Sequence, residues 1–244
     1  MDVHHHSHTP RKTWTHYFWE FLMLFLAVFC GFMAENQREH MIEHQREKKY
    51  MRTLVEDLAA DTMDLRRAMS KADTVIRFSD SAVIYMREHR PDSFIPFYFA
   101  SFIGYGGQRQ LLNLADRTSS QLKNAGAMRL IRNDAVSDMI LKYWSLSNNS
   151  MISLDRYMLY RDASRALAFK MWVVPEVYMA GGGNVKDSIT LRVIDQDPKK
   201  WDELANLMAM MNSITLNVHA GNLQRQLNTA RELMALIKEE YHLK

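Results

Sequence analysis

The sequence predicts a mainly α protein, with one N-terminal transmembrane helix followed by an antiparallel bundle of long helices and at most one short strand or hairpin. Three observations predict it. Residues 21–34 carry no charge, prolines number only five in 244 residues, and apolar residues recur about every 3.6 positions through most of the remaining chain. We therefore divide the chain into a polar, His-rich tail (1–13), a transmembrane helix (14–34) and an α-helical soluble domain (35–244).

The composition narrows the classes of function. Hydrophobic residues make up 47% and charged residues 24% of the chain, which is typical of folded proteins. The formal net charge is only +3, and basic residues alternate with acidic ones, so we expect no nucleic-acid partner. Because Cys30 is the only cysteine, no intrachain disulfide can form, and a domain of this size can fold by burying apolar surface alone.

The first predicted element is the membrane span. From Trp14 to Ala34 a helix would be about 31 Å long, which is close to the hydrocarbon thickness of a bilayer. Its N-terminal end carries aromatic residues typical of a membrane interface, namely Trp14, Tyr17 and Trp19. A charged stretch that begins at Glu35 closes the other end.

Two alternatives to an uncleaved anchor fit the sequence less well. A signal-peptidase cut after Ala34 would need a small residue at the −3 position, the third residue before the cut, and Phe32 stands there. A lipid-modified cysteine normally follows a small residue, but Phe29 precedes Cys30. We therefore expect this segment to stay in the lipid bilayer as an anchor.

One side of the span is predicted to associate with another helix. Helical spacing places four residues on a single stripe, which are Glu20, Leu24, Ala27 and Gly31. Ala27 and Gly31 form a small-xxx-small pair, which permits close approach of two helices. Glu20 has three interpretations: it reaches the headgroup region, it lies at a helix–helix interface, or it carries protons. The expected partners are the lipid bilayer and either a second copy of the chain or another membrane protein.

The basic residues on the two sides of the span predict opposite orientations in the membrane. Arg11 and Lys12 before the span suggest a cytoplasmic N-terminus. A larger number of basic residues follows the span, and the positive-inside rule then favours the opposite orientation. These residues are Arg38, Arg46, Lys48, Lys49 and Arg52.

The soluble domain is predicted to begin with a long helix that continues the anchor. Apolar residues keep helical spacing from residue 35 to about residue 90, and Pro91 and Pro96 end the pattern. The stretch from Phe94 to Gly107 is aromatic and then rich in glycine. We expect a short helix followed by a loop there.

A second helical region is expected from Asp116 to about Lys170. Breaks are predicted at Gly126 and near residues 148–150, where two asparagines and a serine are adjacent. The glycines Gly181–Gly183 predict a loop, and this loop lacks the Lys-Ser/Thr pair of a phosphate-binding loop. Apolar and polar residues alternate over residues 189–194, which indicates one short strand.

The last predicted helix has a well-defined start. Asp197 is suited to cap its N-terminus and Pro198 to occupy its first position. Apolar spacing continues to about Tyr241 but slips by one residue around Gly221, which predicts a bend or a register shift there. Long amphipathic helices of this kind bury their apolar stripes by packing into a bundle.

A short motif after the span resembles a metalloprotease signature. His40-Met41-Ile42-Glu43-His44 matches the H-x-x-E-H pattern, in which two histidines share a zinc ion and the glutamate acts as base. The neighbouring residues are charged and offer no apolar wall for a dry cleft. We therefore interpret the motif as a solvated helix face.

Other histidines also predict no site. The histidines of the tail could hold zinc, nickel or copper loosely, but we expect a flexible tail without a metal. His89, His219 and His242 stand alone on separate segments. We identify no catalytic residue, cofactor, metal ligand or small-molecule ligand from the sequence, and predict that the protein is not an enzyme.

Three segments resemble a family of uncharacterised bacterial single-pass membrane proteins, known only as a domain of unknown function. The first is the anchor, with Glu20 before an apolar run that contains Ala27 and Gly31. The others are Tyr50-Met51-Arg52-Thr53-Leu54-Val55-Glu56-Asp57-Leu58 and Leu122-Lys123-Asn124-Ala125-Gly126-Ala127-Met128-Arg129-Leu130-Ile131-Arg132-Asn133. The resemblance implies a cytoplasmic N-terminus and a helical domain on the periplasmic side of the inner membrane. It implies no catalytic residues.

The predicted function is that of a membrane-anchored, non-enzymatic interaction or scaffold module that self-associates through the stripe. The alternative is an extracytoplasmic sensor or an ion-coupled accessory subunit of a membrane complex. A sensor would transmit ligand binding through a helix shift. An ion-coupled subunit would use Glu20 as its titrating group.

Overall fold

The computed structural model describes residues 14–96, 99, 103, 111–124, 126–173 and 190–243. Within these residues the protein is mainly helical, as predicted, with five α-helices and one two-stranded sheet. The chain divides into two compact units, residues 1–49 and 50–244, and each is described by itself. The predicted tail (1–13) and the predicted loop Gly181–Gly183 lie outside the described residues.

Helix α1, Trp14–Glu88, contains the predicted span. In the described part of the chain it is the one helix long and apolar enough to cross a membrane, by length and composition. None of the apolar window that meets this criterion is buried within the protein. The helix ends close to the predicted position, residue 90.

In the second unit, α1 buries one face against the core. Leu54 and Leu58, four residues apart, are both buried. The C-terminal end of the helix is held by a distant side chain, because the indole N–H of Trp201 donates to the carbonyl oxygens of Met86 and His89 at 3.0 and 2.9 Å. The last carbonyl groups of a helix lack donors within it, and the indole N–H supplies one at the end of α1.

Two short strands pair across the chain. Strand β1, Phe94–Pro96, pairs antiparallel with strand β2, Thr190–Arg192. Ile95 faces Leu191 across the pair, and both side chains are buried. The strand predicted within residues 189–194 is therefore confirmed, and its partner was not foreseen.

The short helix predicted to begin at Phe94 is wrong for residues 94–96, which are extended. Ile95 precedes a proline, and the proline ring disfavours helical angles in the preceding residue. Pro96 also lacks a backbone N–H, which suits it to a short, exposed edge better than to a helix interior. The next described residues, Phe99 and Ile103, are helical.

The predicted break at Gly126 is confirmed. Helix α2, Arg117–Asn124, ends before it, and a 3-10 turn, Ala127–Leu130, follows. Gly126 has φ of 60°, a left-handed conformation that a side chain disfavours. Asn133 then caps helix α3, Asp134–Met171, by accepting from the backbone N–H three residues later at 3.0 Å.

The break predicted near residues 148–150 is wrong, because α3 continues through them. Ser150 is buried, and backbone carbonyl groups at these positions accept hydrogen bonds from side chains instead of ending the helix. The Asn149 carbonyl oxygen accepts from Nδ2 of Asn222 at 3.1 Å. The Ser153 hydroxyl donates to the Ser150 carbonyl oxygen at 2.8 Å, a local bond that a helix accommodates.

The last helical region starts as predicted and contains an irregular turn. Asp197 accepts from the backbone N–H two residues later at 2.9 Å and caps helix α4, Pro198–Ile214. A π-helical turn, Thr215–His219, separates α4 from helix α5, Ala220–Glu240. A π turn adds one residue to a helical turn, which accounts for the apolar slip predicted near Gly221.

Buried apolar side chains of the second unit form two clusters. The first cluster contains residues of α1, α2, α3 and α5, such as Met51, Leu58, Leu122, Ile140 and Ile237. The second cluster contains residues further along α1 and α3, together with both strands and α4, such as Leu65, Tyr157, Trp172, Leu191 and Trp201. Its centre is aromatic, since the rings of Phe99 and Trp201 lie 5.2 Å apart.

Candidate functional site

The predicted association stripe is exposed along its whole length. Glu20, Leu24, Ala27 and Gly31 are all exposed, and a side-chain carbon added at Gly31 would meet no heavy atom within 4 Å. The carboxylate of Glu20 has a neighbour on its own helix, because its Oε1 lies 3.4 Å from Nε2 of His16. No described side chain thus crowds the stripe at Gly31.

A second face of the same segment carries large aromatic side chains. Three- and four-residue spacing aligns six residues along the helix, here called the aromatic ridge: Trp14, Phe18, Phe21, Phe25, Phe29 and Phe32. Consecutive rings stack, with centroids 6.3 Å apart for Phe21 and Phe25 and 6.0 Å apart for Phe25 and Phe29. The segment therefore has a bulky face and, on a different side, the small residues of the stripe.

The two histidines of the H-x-x-E-H motif contact glutamates on their own helix. Nδ1 of His40 lies 3.9 Å from Glu43, and Nδ1 of His44 lies 3.2 Å from Glu47. Across the described residues, no group of three or more His, Cys, Asp or Glu side chains is placed to hold a metal ion.

Two aspartates of α1, one turn apart, bind the chain around the start of α2. Asp57 Oδ2 accepts from the backbone N–H and the hydroxyl of Thr118 at 3.0 and 2.6 Å. Its Oδ1 accepts from Arg117 at 2.8 Å, and the same guanidinium contacts Glu56 at 3.1 Å. Asp57 thereby caps α2 from another helix, which satisfies a backbone donor that the helix itself leaves free.

Asp61 is the more deeply buried of the two, at 2% exposure. Oδ2 accepts from the hydroxyl of Tyr143 at 2.6 Å, and Oδ1 from the backbone N–H of Ala115 at 2.7 Å. Burial raises the pKa of Asp61, the two hydrogen bonds lower it by less, and the neighbouring carboxylates of Asp57 and Asp64 raise it further. Burial and Asp61 also raise the pKa of Tyr143, so its hydroxyl stays protonated and donates.

A polar layer continues from Asp61 into the space between the two apolar clusters. Its members are side chains of α1, α3, the π turn and α5, all buried except that of Ser147, which is half-buried. The amide of Gln226 donates to the Ser147 hydroxyl at 2.7 Å, and Asn222 bonds to α3 two residues further along, at Asn149. We name this set the polar layer: Asp61, Tyr143, Ser147, Ser150, Ser153, His219, Asn222 and Gln226.

His219 lies at the far end of the polar layer, with 1% exposure. Its Nδ1 is 2.9 Å from the Ser153 hydroxyl oxygen. Because that hydroxyl already donates to Ser150, it accepts from Nδ1–H of a neutral imidazole, and Nε2 has no hydrogen-bond partner among the residues that the structure describes. Burial lowers the pKa of His219 to about 4, and a hydrogen bond with the Ser150 backbone opposes this by less.

A cavity of about 160 Å³ adjoins Asp61. Leucines form its apolar wall, and the remaining lining combines carboxylate, hydroxyl, ammonium and aromatic groups. The apolar lining is Leu54, Leu58 and Leu114, and the polar and aromatic lining includes Asp57, Asp61, Ser119, Lys123, Tyr143, Trp144 and Ser147. The ammonium of Lys123 lies 4.3 Å above the centre of the Trp144 ring.

Comparison with protein-family models, with curated proteins and with solved structures finds no match to this chain. The family resemblance of the three sequence segments therefore stays a prediction.

Sequence reasoning missed the polar layer and the cavity. Asp57 and Asp61 follow Leu54 at intervals of three and seven, which places them near the apolar stripe of α1. Carboxylates at such positions are a signal for a buried polar contact, since charged residues are rarely buried without partners. From the sequence, His219 was interpreted as an isolated histidine without a site. The structure shows it buried, at the end of the π turn.

Proposed function

We propose that this protein is a membrane-anchored, non-enzymatic scaffold that self-associates through its anchor helix and presents its helical domain to partner proteins. The observation that carries the proposal is the exposed apolar surface at the start of α1. Phe21, Leu24 and Phe32 are 64%, 70% and 70% exposed. A contiguous apolar surface of this kind marks a membrane or protein interaction site.

The bilayer is the partner that best fits this surface. Moving one large apolar side chain out of water stabilises by about 1.5–3 kcal/mol, and many large apolar side chains of this segment are exposed. The interfacial aromatic residues Trp14, Tyr17 and Trp19 are also exposed. A bacterial inner membrane is the membrane implied by the sequence resemblance.

Self-association through the stripe is supported by the contrast between the two faces of the anchor. Small residues let two helix backbones approach closely, whereas the aromatic ridge is suited to acyl chains. The chain has a single cysteine, so Cys30→Ala gives a background in which one new cysteine reports on one face.

The test is oxidative crosslinking in native membranes. In the Cys30→Ala background, Ala27→Cys should give disulfide-linked dimers, and the matched control Phe25→Cys on the aromatic ridge should not. Equal crosslinking at both positions, or none at either, would argue against association through the stripe.

We propose that the helical domain lies in the periplasm. The sequence resemblance and the basic residues before the span support this orientation. In the Cys30→Ala background, a cysteine at Leu159, which is 67% exposed, should react with a membrane-impermeant maleimide in spheroplasts that are intact. Labelling only after lysis would place the domain in the cytoplasm.

We propose that the long helices form an antiparallel bundle. Ser147 bonds to Gln226, and Ser153, further along α3, bonds to His219, earlier in the chain than Gln226. This reversed order is expected when α3 and the α4–α5 region run in opposite directions. Similarly, Trp201 near the start of α4 bonds to the end of α1.

The non-enzymatic part of the proposal is supported by the surroundings of the Ser153–His219 contact. A serine hydroxyl next to an imidazole can act as a nucleophile when substrate reaches it. Here Ser153 and His219 are both 1% exposed, and the serine already donates to a backbone carbonyl. This contact is thus suited to holding helices together.

An extracytoplasmic sensor is the second candidate function. One helix, α1, contains both the apolar segment and the two aspartates that adjoin the cavity. A ligand in that cavity would contact the same helix that carries the anchor residues. An ion-coupled accessory subunit, with Glu20 as titrating group, is the remaining alternative, and retention of all activity by Glu20→Gln would exclude it.

A further inference from the structure

The cavity beside Asp61 has the size of a small-molecule site. Its volume of about 160 Å³ is close to that of an engineered protein cavity of about 150 Å³ that binds benzene. Leu54, Leu58 and Leu114 supply an apolar wall. A ligand of a few heavy atoms would fill it, with its alkyl part against the leucines.

The polar end of the cavity contains a carboxyl group, Asp61, for which the described residues provide no positively charged partner. Asp61 accepts one hydrogen bond at each oxygen, both from uncharged donors, and a carboxylate has room for about four. The charged groups that influence its pKa are two further carboxylates, Asp57 and Asp64. Buried carboxylates in proteins are normally paired with a cation.

Two positive side chains described near the cavity, those of Arg117 and Lys123, contact other groups. Arg117 binds Asp57 and Glu56. The ammonium of Lys123 lies over the Trp144 ring. Lys123 and Trp144 both line the cavity. This contact shows that the ring face already accommodates an ammonium group, which is attracted to the electron-rich face of indole.

We propose that the cavity binds a small organic cation, a primary amine or guanidine with a short alkyl chain. The positive head group donates to Asp61 and lies near Trp144, and the alkyl chain packs on the three leucines. Binding would use the remaining acceptor capacity of Asp61 and supply a positive charge that the described residues around this carboxylate do not provide. The proposal does not depend on the membrane anchor.

The experiment is calorimetric titration of the full-length protein in detergent micelles with n-butylamine. Two compounds of similar length, neutral n-butanol and anionic butyrate, are the controls. We expect saturable binding of the amine, and affinity for the alcohol that is weaker by roughly tenfold or more, as loss of a charge-assisted hydrogen bond implies. Equal affinity for the amine and the alcohol would overturn the proposal.

Two variants move the affinity in opposite directions. Asp61→Asn should weaken butylamine binding by roughly tenfold or more. Lys123→Met should strengthen it, because it removes an ammonium that competes for Trp144 and repels a second cation. Lys123 is exposed, so this variant is expected to fold.

Lys142→Met is the matched control. Lys142 is also exposed but does not line the cavity, and its variant should bind the amine like the wild type. If Asp61→Asn does not fold, the comparison of Lys123→Met with Lys142→Met tests the proposal. Butylamine affinity of Lys123→Met that is equal to or weaker than that of Lys142→Met would contradict the proposal.

Discussion

Acidification should destabilise this protein through His219, and the effect should disappear when His219 is replaced. The imidazole is buried and neutral, and no charged group is among the causes of its lowered pKa. Protonation in the folded state therefore places an unpaired charge in the polar layer, which is costly. In the unfolded chain the imidazole is hydrated and takes up a proton readily.

The size of the effect follows from the two pKa values. The folded value is about 4 and the ordinary value is 6.5, so the unfolded state binds more protons between these limits. Stability therefore falls as the pH is lowered through this window. Relative to pH 8, the free energy of unfolding should drop by about 2 kcal/mol at pH 5 and by about 3 kcal/mol below pH 4.

The assay is urea unfolding of the full-length protein in detergent at pH 8 and pH 5, followed by tryptophan fluorescence. His219→Gln should lose about 2 kcal/mol less than the wild type between the two pH values. His40→Gln removes an exposed histidine of the first unit and should keep the wild-type difference. The raised pKa of Asp61 has the opposite effect on stability as the pH falls. Asp61 is present in all three proteins, so its contribution cancels when they are compared.

An equal loss of stability in the wild type and in His219→Gln would refute the reasoning, because the acid sensitivity would then come from other groups. The absolute stability of His219→Gln does not decide the question. Only the difference between the two pH values does.

Three further changes test single contacts of the second unit by the same urea assay at pH 8. Tyr143→Phe removes the donor to Asp61 and should cost about 1–3 kcal/mol; a neutral result would mean that the carboxyl finds another donor. Asp57→Ala removes the cap of α2 and the partner of Arg117, and should cost about 2 kcal/mol or more; a cost below that of an exposed replacement such as Asp202→Ala would contradict the capping role. Gly126→Ala forces a side chain into a left-handed conformation and should cost about 1 kcal/mol; an increase in stability would exclude the φ of 60° found there.

Local features of the fold could be predicted because their causes lie within a few residues. The cap at Asp197 and the proline after it need only their own helix. The turn at Gly126 needs only a residue without a side chain. The irregularity of the last helical region was visible as a slip in apolar spacing, and the structure resolves it as the π turn Thr215–His219.

Features that join distant segments could not be predicted from one sequence. Asp61 and Tyr143 are 82 residues apart, and Ser153 and His219 are 66 residues apart. Nothing in the spacing of either pair relates one residue to the other. The strand at Phe94–Pro96 depends in the same way on its partner at Thr190–Arg192.

The wrongly predicted break near residues 148–150 has a related cause. Asparagine and serine side chains can compete with the backbone for hydrogen bonds, and they then favour turns. In this protein Ser150 is fully buried, and the Asn149 carbonyl oxygen accepts from α5. Tertiary contacts thus override the local preference for a turn.

The most direct test of the anchor is membrane retention of a variant with a charge in the middle of the apolar segment. Arginine at the centre of a membrane helix costs about 3 kcal/mol on insertion scales. Leu26→Arg, at a position that is 44% exposed, should therefore shift the protein from the carbonate-washed membrane pellet to the supernatant. Met41→Arg, at a position outside the apolar segment that is 55% exposed, should stay in the pellet with the wild type. Recovery of the wild-type protein in the carbonate supernatant would contradict the account.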